Sequence, residues 1–343
     1  MAISSWNAGI IRPVPVAPTG PYEYGAAPGV WTLDQVAFWT QQGLWPIAGN
    51  LPAARAVFAG GNNATTSDNN VISYFSINTL GNATDFGDLT IKTWGISGFG
   101  SSTRGVFAGG YAGTQKFIDY VTIASTGNAT NWGVASTYSH NGSSGANSTT
   151  RGLIMAGESS ANRIEYVTIA TTGTVTNFGT LEYTPNYAGS CFSQTRAISG
   201  SSNSSNFRDI LQYVTIATTG NGTFFGNLTS ARQGTQGLSN GVRGVFGGGN
   251  GSGGYTNIMD YVTIATTGTA TDFGDLLLNM GYMGATSSPT RGVFMGGSIT
   301  GDVSQNIIQY ITIATTGNSA DFGDLTLAAG AGAATSSNNG GLQ

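Results

Sequence analysis

The sequence predicts an all-β fold: a six-bladed β-propeller with four-stranded blades, preceded by a short and mostly irregular N-terminal segment. Three observations lead to this prediction: a repeat with a period of 45 to 49 residues, regularly spaced β-branched runs, and glycine- and asparagine-rich turns between those runs. Periods of about 40 to 50 residues are typical of propellers, solenoids and arrays. We therefore expect an N-terminal segment over residues 1–50 and a propeller over residues 51–343.

Two signatures recur in each of the six copies. The first is an arginine followed by a hydrophobic run and glycines, as in RGVFAGG; these arginines are Arg55, Arg104, Arg151, Arg196, Arg243 and Arg291. The second is a tyrosine run, a Thr-Gly turn and an aromatic residue before glycine, as in YVTIATTGTATDFG from Tyr261. The β-branched alternation of the second signature is typical of strands.

Each copy divides into four strands, which we call the arginine, tyrosine, aromatic and small-residue strands. The small-residue strand leads to the next arginine, as in GISGFGSST at 95–103. The last such stretch, LAAGAGAATSSNN at 327–339, has no arginine strand after it, whereas the first copy begins with the Arg55 strand. We therefore expect the C-terminal strand to complete the blade that residues 55–90 begin.

The order of arginine, hydrophobic strand, glycine doublet, variable loop, tyrosine and later aromatic residue resembles the Kelch repeat. The doublets are Gly60-Gly61, Gly109-Gly110, Gly248-Gly249 and Gly296-Gly297; the tyrosines are Tyr74, Tyr120, Tyr166, Tyr213, Tyr261 and Tyr310; the later aromatics are Phe86, Trp132, Phe178, Phe225, Phe273 and Phe322. Two copies depart from this pattern, with Ala156-Gly157 and Gly200-Ser201 at the doublet, and the spacing from tyrosine to aromatic residue is longer than in Kelch repeats. The resemblance covers residues 55 to about 340 and implies a fold but no activity, because propellers host unrelated functions.

The repeat phrases, such as SSTRGVFAGG at 101–110, also resemble repeats in virion structural proteins of tailed bacteriophages, especially marine and cyanobacterial ones. The segment GVWTLDQVAFWTQQGLWP at 29–46 is similar to segments of phage tail and fibre proteins. This resemblance implies a virion structural protein, assembled in the host bacterial cytoplasm and displayed on a tail or fibre. The alternatives are a capsid decoration protein, a carbohydrate-binding propeller resembling galactose oxidase, and an intracellular interaction module.

The N-terminal segment holds six of the nine prolines and four of the six tryptophans. Its large rings are too many to leave in water, so we expect them to contact the propeller or a neighbouring subunit. The expected assembly residues are Trp6, Trp31, Phe38, Trp39 and Trp45. A short helix is predicted in WTLDQVAFWTQQG, with Thr32 or Asp34 near its start and Gly43 beyond its end. We expect other virion proteins as partners of this segment and a homo-oligomer in the particle.

Composition argues against several function classes. The net charge is −4 and half of the 12 basic residues are the repeat arginines, so no nucleic-acid partner is expected. No run of about 18 apolar residues and no leader pattern is present, so neither membrane insertion nor secretion is expected. Cys191 is the single cysteine, which excludes an internal disulfide framework.

No catalytic constellation emerges, and we expect neither enzymatic activity nor a cofactor or metal. The Asp-Phe-Gly at 85–87 lacks the other kinase motifs, because the one histidine, His140, precedes Asn141. Aspartate pairs such as Asp85 and Asp88 have the spacing of partial calcium loops, but hydrogen bonding at strand ends is favoured. The repeat arginines could ring an anion site, although their recurrence favours pairing with carboxylates or carbonyl groups of a neighbouring blade.

Strand alternation places the loops after the glycine doublets and after the aromatic strands on one face, the variable-loop face, and the other two turns on the opposite, uniform face. Loops on the first face differ in length and content and are rich in Tyr, Ser and Asn, a composition that suits contact with a host glycan or protein. Neutral drift of exposed loops explains them equally well. The candidate binding residues are Trp94, Tyr111, Tyr138, Tyr183, Tyr187, Arg232, Tyr255 and Tyr282.

Overall fold

The computed structural model describes Thr32, Asp34, Gln35 and residues 54–63, 67–111, 116–133, 136–138, 140–157, 162–185, 187–200 and 208–338. The chain divides into two compact units, Met1–Ala53 and Ala54–Gln343. In the first unit, Asp34 and Gln35 are helical. The predicted assembly residues Trp6, Trp31, Phe38, Trp39 and Trp45 lie outside the described residues.

Thr32 and Gln35 form a capping box, as predicted for a helix that starts near Thr32. The Gln35 backbone N–H donates to Thr32 Oγ1 at 3.3 Å, and the Thr32 N–H donates to Gln35 Oε1 at 3.0 Å. Such reciprocal bonds satisfy amide groups that the first helical turn leaves unpaired. Within the described residues, no helix has the length and apolar character needed to cross a membrane.

The second unit consists of six four-stranded antiparallel sheets in a ring, which confirms the all-β propeller. From the axis outwards, each blade contains a small-residue, an arginine, a tyrosine and an aromatic strand. The blades are Ala333–Ser336, Arg55–Ala59, Val71–Ser76, Thr84–Asp88 (blade 1); Ile96–Gly100, Arg104–Gly109, Ile118–Thr122, Thr130–Asn131 (blade 2); Ser144–Asn147, Arg151–Met155, Arg163–Thr168, Thr176–Thr180 (blade 3); Ser190–Phe192, Arg196–Gly200, Ile210–Thr215, Thr223–Asn227 (blade 4); Gln236–Ser239, Arg243–Gly247, Ile258–Thr263, Thr271–Asp275 (blade 5); and Gly284–Ser287, Arg291–Met295, Ile307–Thr312, Ala320–Asp324 (blade 6).

Both ends of the propeller lie in blade 1, so the predicted closure is confirmed. Ala333–Ser336 pairs antiparallel with Arg55–Ala59, with Ala56 opposite Ser336 and Ala59 opposite Ala333. The Arg55 N–H also donates to Ser337 Oγ at 3.0 Å, and the Ser337 N–H donates to the Arg55 carbonyl at 3.0 Å. The last strand of the chain therefore closes the ring.

The hydrophobic core lies between adjacent blades. For example, Val57 and Ile72 of blade 1 pack with Phe107 and Val121 of blade 2, and all four are buried. The arginine strands have neighbours on both faces, which explains why their hydrophobic runs are continuous rather than alternating. Burial of each aliphatic or aromatic side chain at these interfaces contributes about 1.5–3 kcal/mol.

The small residues of the innermost strands allow backbones of adjacent blades to approach closely. A Cβ at Gly98 would lie 2.5 Å from the Ala334 carbonyl oxygen, and one at Gly145 would lie 2.4 Å from that of Gly98. At Gly237 the oxygen of Ser190 would be 2.4 Å away. Larger side chains would force the inner strands apart, so this stretch of each repeat is limited to Gly, Ala and Ser at its closest contacts.

The repeat arginines join adjacent blades through carbonyl groups, as favoured from the sequence. Arg55 Nη1 donates to the Ile123 carbonyl of the next blade at 2.8 Å, and the other five make the same bond, to Ile169, Ile216, Ile264, Ile313 and Ile77. Each guanidinium carbon also lies 4.3–4.6 Å from the ring centre of its own blade's repeat tyrosine. The arginines thus contact tyrosine rings and neighbouring backbones.

The uniform face is also held together between blades. The backbone N–H of Asp88 donates to Asn128 Oδ1 at 3.1 Å, and those of Asp275 and Asp324 donate to Asn318 and Asn82 at 3.0 Å. The expected hydrogen bonding at strand ends is therefore present, although it uses the backbone of these aspartates rather than their carboxylates. The turns that carry Asn82, Asn128 and Asn318 in this way protect the outer strand of the preceding blade.

Candidate ligand-binding cleft on the variable-loop face

The loops after the glycine doublets contact those after the aromatic strands, as the face assignment predicts. The N–H groups of Gly61 and Gly249 donate to the carbonyls of Thr93 and Met280 at 2.9 and 2.8 Å. Three doublet loops form short hairpins: Asn62–Asn63 with Ser67–Asp68, Asn250–Gly251 with Gly254–Tyr255, and Ser298–Ile299 with Val303–Ser304. These hairpins belong to blades 1, 5 and 6, which are neighbours in the ring.

A buried polar residue precedes each repeat tyrosine and fixes the loop above it; we call these six the anchor residues. They are Ser73, Asp119, Glu165, Gln212, Asp260 and Gln309, each at most 3% exposed. Gln212 Oε1 accepts the Glu182 N–H at 2.7 Å, and Gln309 Oε1 accepts the Leu277 N–H at 2.9 Å. The anchor position was not predicted from the sequence, because the repeat motif was taken to begin at the tyrosine. The feature that could have identified it is a single polar residue within an apolar run, as in IEY or LQY.

Arg232 binds an anchor residue and does not reach the surface, so it is removed from the candidate binding surface. Its Nη2 lies 2.8 Å from Asp260 Oδ2, its Nε donates to the Gly248 carbonyl at 2.7 Å, and its Nη1 donates to Ser230 Oγ at 2.8 Å. The residue is 1% exposed. All three guanidinium nitrogens are thus bonded within the protein, and the buried group is not presented to a ligand at the surface.

His140 and Glu165 form a second buried pair. His140 Nε2 lies 2.9 Å from Glu165 Oε2, while Nδ1 donates to the Ala156 carbonyl at 2.6 Å. Burial raises the pKa of Glu165, but hydrogen bonds from His140, Ser136 and Thr137 outweigh burial and lower that pKa to about 2. The carboxylate is therefore ionised, both ring nitrogens face acceptors, and the histidine is occupied by a structural contact.

Six residues around the axis, one from each inter-blade loop, form a closed circle of backbone hydrogen bonds that we call the axial ring. Each N–H donates to the carbonyl of the equivalent residue in the adjacent loop, over 2.7–2.9 Å; the donors and acceptors are Gly95 to Ala331, Gly142 to Gly95, Tyr187 to Gly142, Gly234 to Tyr187, Tyr282 to Gly234 and Ala331 to Tyr282. All six have positive φ, between 51° and 69°. Glycine adopts this conformation freely, whereas tyrosine and alanine adopt it only with strain.

Five of the eight candidate residues lie together in an aromatic cluster beside the axial ring. Trp94 stacks on Tyr187 with ring centres 6.1 Å apart and contacts Tyr111 at 5.3 Å. Tyr282 meets Tyr187 edge-on at 5.2 Å and Tyr255 at 6.2 Å. These residues come from separate loops, so only the closed ring brings them together.

The cluster lines an open cleft of about 470 Å³. The walls include the rings of Trp94, Tyr187, Tyr255 and Tyr282 and the carboxylates of Asp68 and Asp302. Small-molecule sites commonly have volumes of about 300–1,000 Å³ and aromatic walls with a few polar groups. The cleft therefore has the size and the lining of a site for a small ligand or an exposed chemical group.

The phenols of Tyr255 and Tyr282 stay protonated at neutral pH. Burial raises the pKa of Tyr282 to about 12, with a further contribution from the Asp302 charge. Burial also raises the pKa of Tyr255, and so does the hydrogen bond from its hydroxyl to Asp302 Oδ1, at 2.7 Å. The cleft accordingly presents neutral aromatic rings next to carboxylate groups.

Backbone strain is concentrated at this cleft. Among the described residues, five that are not glycine have positive φ, and four of them line the cleft: Tyr187 at 51°, Tyr282 at 55°, Asp302 at 57° and Ala331 at 55°. Such conformations are unfavourable by about 1–3 kcal/mol each and cluster at functional sites. Three other copies have glycine at the equivalent axial-ring position, so the backbone conformation does not require a tyrosine there.

Two candidate residues occupy other surroundings. The Arg163 guanidinium lies 4.6 Å from the ring centre of Tyr138, and that of Arg208 lies 5.2 Å from that of Tyr183. Neither tyrosine lines the cleft. We therefore restrict the candidate site to Trp94, Tyr187, Tyr255 and Tyr282 with the two carboxylates, and Tyr111 supports Trp94 from outside.

In the part of the chain that the structure describes, no three His, Cys, Asp or Glu side chains are grouped so that they could hold a metal ion. Cys191 is buried, and burial raises the pKa of its thiol. The chain matches no protein-family model and no curated protein.

Proposed function

We propose that this chain is a structural protein of a bacteriophage particle that displays its propeller on a tail or fibre and contacts the host surface through the cleft. The resemblance of the repeats and of residues 29–46 to phage virion proteins supports the location. The observation that carries the contact role is the strained aromatic cleft on the variable-loop face. A rigid propeller that presents variable loops is a common arrangement for recognition.

The axial-ring tyrosines give the sharpest test of the contact role. Replacing both Tyr187 and Tyr282 by glycine removes two rings but keeps the backbone N–H and carbonyl groups, and it relieves the strain at φ 51° and 55°. We expect a melting temperature that is unchanged or higher, and particles that adsorb to host cells at least about tenfold more slowly. Wild-type adsorption by these particles would rule out the contact role.

Tyr183→Ala provides the matched control, because it removes a tyrosine of the same face that lies against Arg208 instead of the cleft. These particles should adsorb at the wild-type rate. Equal losses in the control and the double variant would mean that the loops act generally and that the cleft has no special role.

The location is tested by mass spectrometry of purified particles, which should contain the chain in stoichiometric amount. Antibody labelling should then place it on the tail or fibre, whereas labelling of the head would identify a capsid decoration protein.

Deleting residues 1–49 should leave a folded propeller that no longer enters particles, because we propose that this segment binds other virion proteins. Normal incorporation of the truncated chain would contradict its attachment role.

A further inference from the structure

We infer that the cleft on the variable-loop face selects an organic cation, a quaternary or protonated amine, over a neutral group of the same shape. The inference rests on the proposed function, since it names the chemical class of the group that the cleft binds. It starts from the walls of the cleft: four aromatic rings from separate loops and two carboxylates.

The charge of the walls is the first argument. Asp68 and Asp302 line the cleft, and no lysine or arginine is among the described residues that line it. The buried guanidinium of Arg232, which belongs to a loop of this face, is paired with the carboxylate of Asp260. A cleft lined by one sign of charge attracts the opposite charge, and the whole chain carries a net charge of −4.

The aromatic rings are the second argument. The faces of tyrosine and tryptophan rings attract cations within about 6 Å, by about 0.5–1 kcal/mol at exposed sites and more when the cation is desolvated. The phenols of Tyr255 and Tyr282 are neutral, so their hydroxyls repel neither a cation nor the carboxylates. Several rings around one space are the arrangement that recognises quaternary ammonium groups in general.

The third argument is the geometry of Asp302. It has φ 57°, it is exposed, and its Oδ1 accepts the Tyr255 hydroxyl at 2.7 Å. This bond occupies one oxygen and holds the carboxylate beside the Tyr255 ring. The negative charge of Asp302 therefore lies close enough to act on both Tyr255 and Tyr282, and an ammonium group between these rings would be stabilised by it.

The test compares choline with 3,3-dimethylbutan-1-ol, which replaces the ammonium nitrogen by carbon and keeps the shape. Both probes are titrated into the full chain by calorimetry, and saturation-transfer NMR reports which methyl groups touch the protein. We expect choline to bind at least about fivefold more tightly than the neutral alcohol, with its N-methyl groups contacting the protein. Equal affinities, or no choline binding up to tens of millimolar, would overturn the inference.

Asp302→Asn removes the charge and keeps both the Tyr255 hydrogen bond and the backbone, because asparagine tolerates positive φ. It should weaken choline binding about fivefold or more and leave binding of the neutral alcohol unchanged. Asp275→Asn is the control, since it makes the same charge change on an outer strand, and another copy carries Asn227 at that place. A loss of choline affinity in the control as large as in Asp302→Asn would overturn the inference by showing an effect of net charge alone.

A neutral methyl glycoside is titrated alongside. Tighter binding of the glycoside than of choline would overturn the inference in favour of a neutral sugar site.

The adsorption assay of the Tyr187→Gly, Tyr282→Gly particles separates the two proposals. If that variant loses adsorption while choline binds no more tightly than the alcohol, the proposal of host contact stands and the proposal of cation selection fails. If choline is preferred but adsorption is unchanged, cation selection stands and host contact fails.

Discussion

At the scale of single residues, the anchor position shows how one site in the repeat has been filled in different ways. Its six occupants are a serine, two aspartates, a glutamate and two glutamines, and all are buried. Each anchor residue accepts or shares hydrogen bonds with the loop of the preceding blade. The six copies therefore have in common a buried hydrogen-bond acceptor and not a charge. Two of the three acidic occupants are paired with a basic side chain, Glu165 with His140 and Asp260 with Arg232.

Replacing Glu165 by glutamine should destabilise the propeller. The pKa of Glu165 is lowered to about 2 in the folded chain, from 4.5, so its ionised form stabilises the fold. That contribution, on the order of 3 kcal/mol, is complete above pH 4.5 and is lost as the pH falls towards 2. Urea denaturation of wild type and variant between pH 7 and pH 2.5 should show a difference that shrinks with falling pH.

Asp119→Asn is the paired control for that experiment. Burial raises the pKa of Asp119 despite hydrogen bonds from Thr90, so its ionised form is unfavourable in the folded chain above its unfolded pKa. The substitution should leave the free energy of unfolding at pH 7 unchanged or higher, as the glutamines of blades 4 and 6 suggest. If both variants lost stability equally, the anchor position would require charge, contrary to the structure.

At the scale of the blade, the repeat arginine joins three elements: its own strand, the tyrosine strand beside it and the next blade. Arg151 Nη1 bonds both Ile216 and Ala217, at 2.7 and 2.9 Å, while its guanidinium lies over Tyr166. Tyr166 in turn meets Phe178 edge-on at 6.1 Å. The repeat arginine, the repeat tyrosine and the later aromatic residue of each copy, here Arg151, Tyr166 and Phe178, therefore form one stack of side chains between blades.

Arg151→Lys should lower the free energy of unfolding by about 1–2 kcal/mol, since an ammonium group cannot both lie flat on the tyrosine and bond two carbonyls. Arg163→Ala should change it by less than about 0.5 kcal/mol, because Arg163 is exposed and contacts Tyr138 on the variable-loop face. Thermal denaturation measured by circular dichroism compares the two. Similar decreases in the free energy of unfolding of the two variants would mean that the hydrogen bonds of Arg151 to the two carbonyl groups add nothing to its contact with the tyrosine ring.

The sequence predicted the blades well because each strand has its own local signature. The glycine doublets, the β-branched tyrosine run and the Thr-Gly turns identify strands and faces without tertiary information. The cleft could be predicted only in part: the list of loop aromatics contained Trp94, Tyr187, Tyr255 and Tyr282, but nothing local showed that they meet. Arg232 was misplaced because its partner Asp260 is 28 residues away, at the position just before the tyrosine with which the predicted motif begins.

At the scale of the whole molecule, the ring is closed by noncovalent contacts between its two ends. The closing strand Ala333–Ser336 contributes hydrogen bonds to blade 1 and contacts the inner strands of blades 2 and 6. Ala331, just before this strand, belongs to the axial ring. The described C-terminal residues thus support three kinds of contact at once. Loss of this segment would affect the cleft as well as the sheet.

Truncation after Leu325 should lower the melting temperature markedly, by about 10 °C or more, because it removes the closing strand and uncovers Phe58 of the core. Choline binding should be lost as well, since Ala331 lines the cleft. Truncation after Asn338 retains every closing contact described above and should leave both properties unchanged. A stable protein truncated after Leu325 would show that the ring does not need its last strand.

The axial ring also makes each repeat a necessary member of a circle. Each of its six members is both a donor and an acceptor to its neighbours, so removal of one member leaves one N–H and one carbonyl of the circle without their partners. Removing residues 104–150, one whole period, should therefore give a chain that fails to form a compact five-bladed ring.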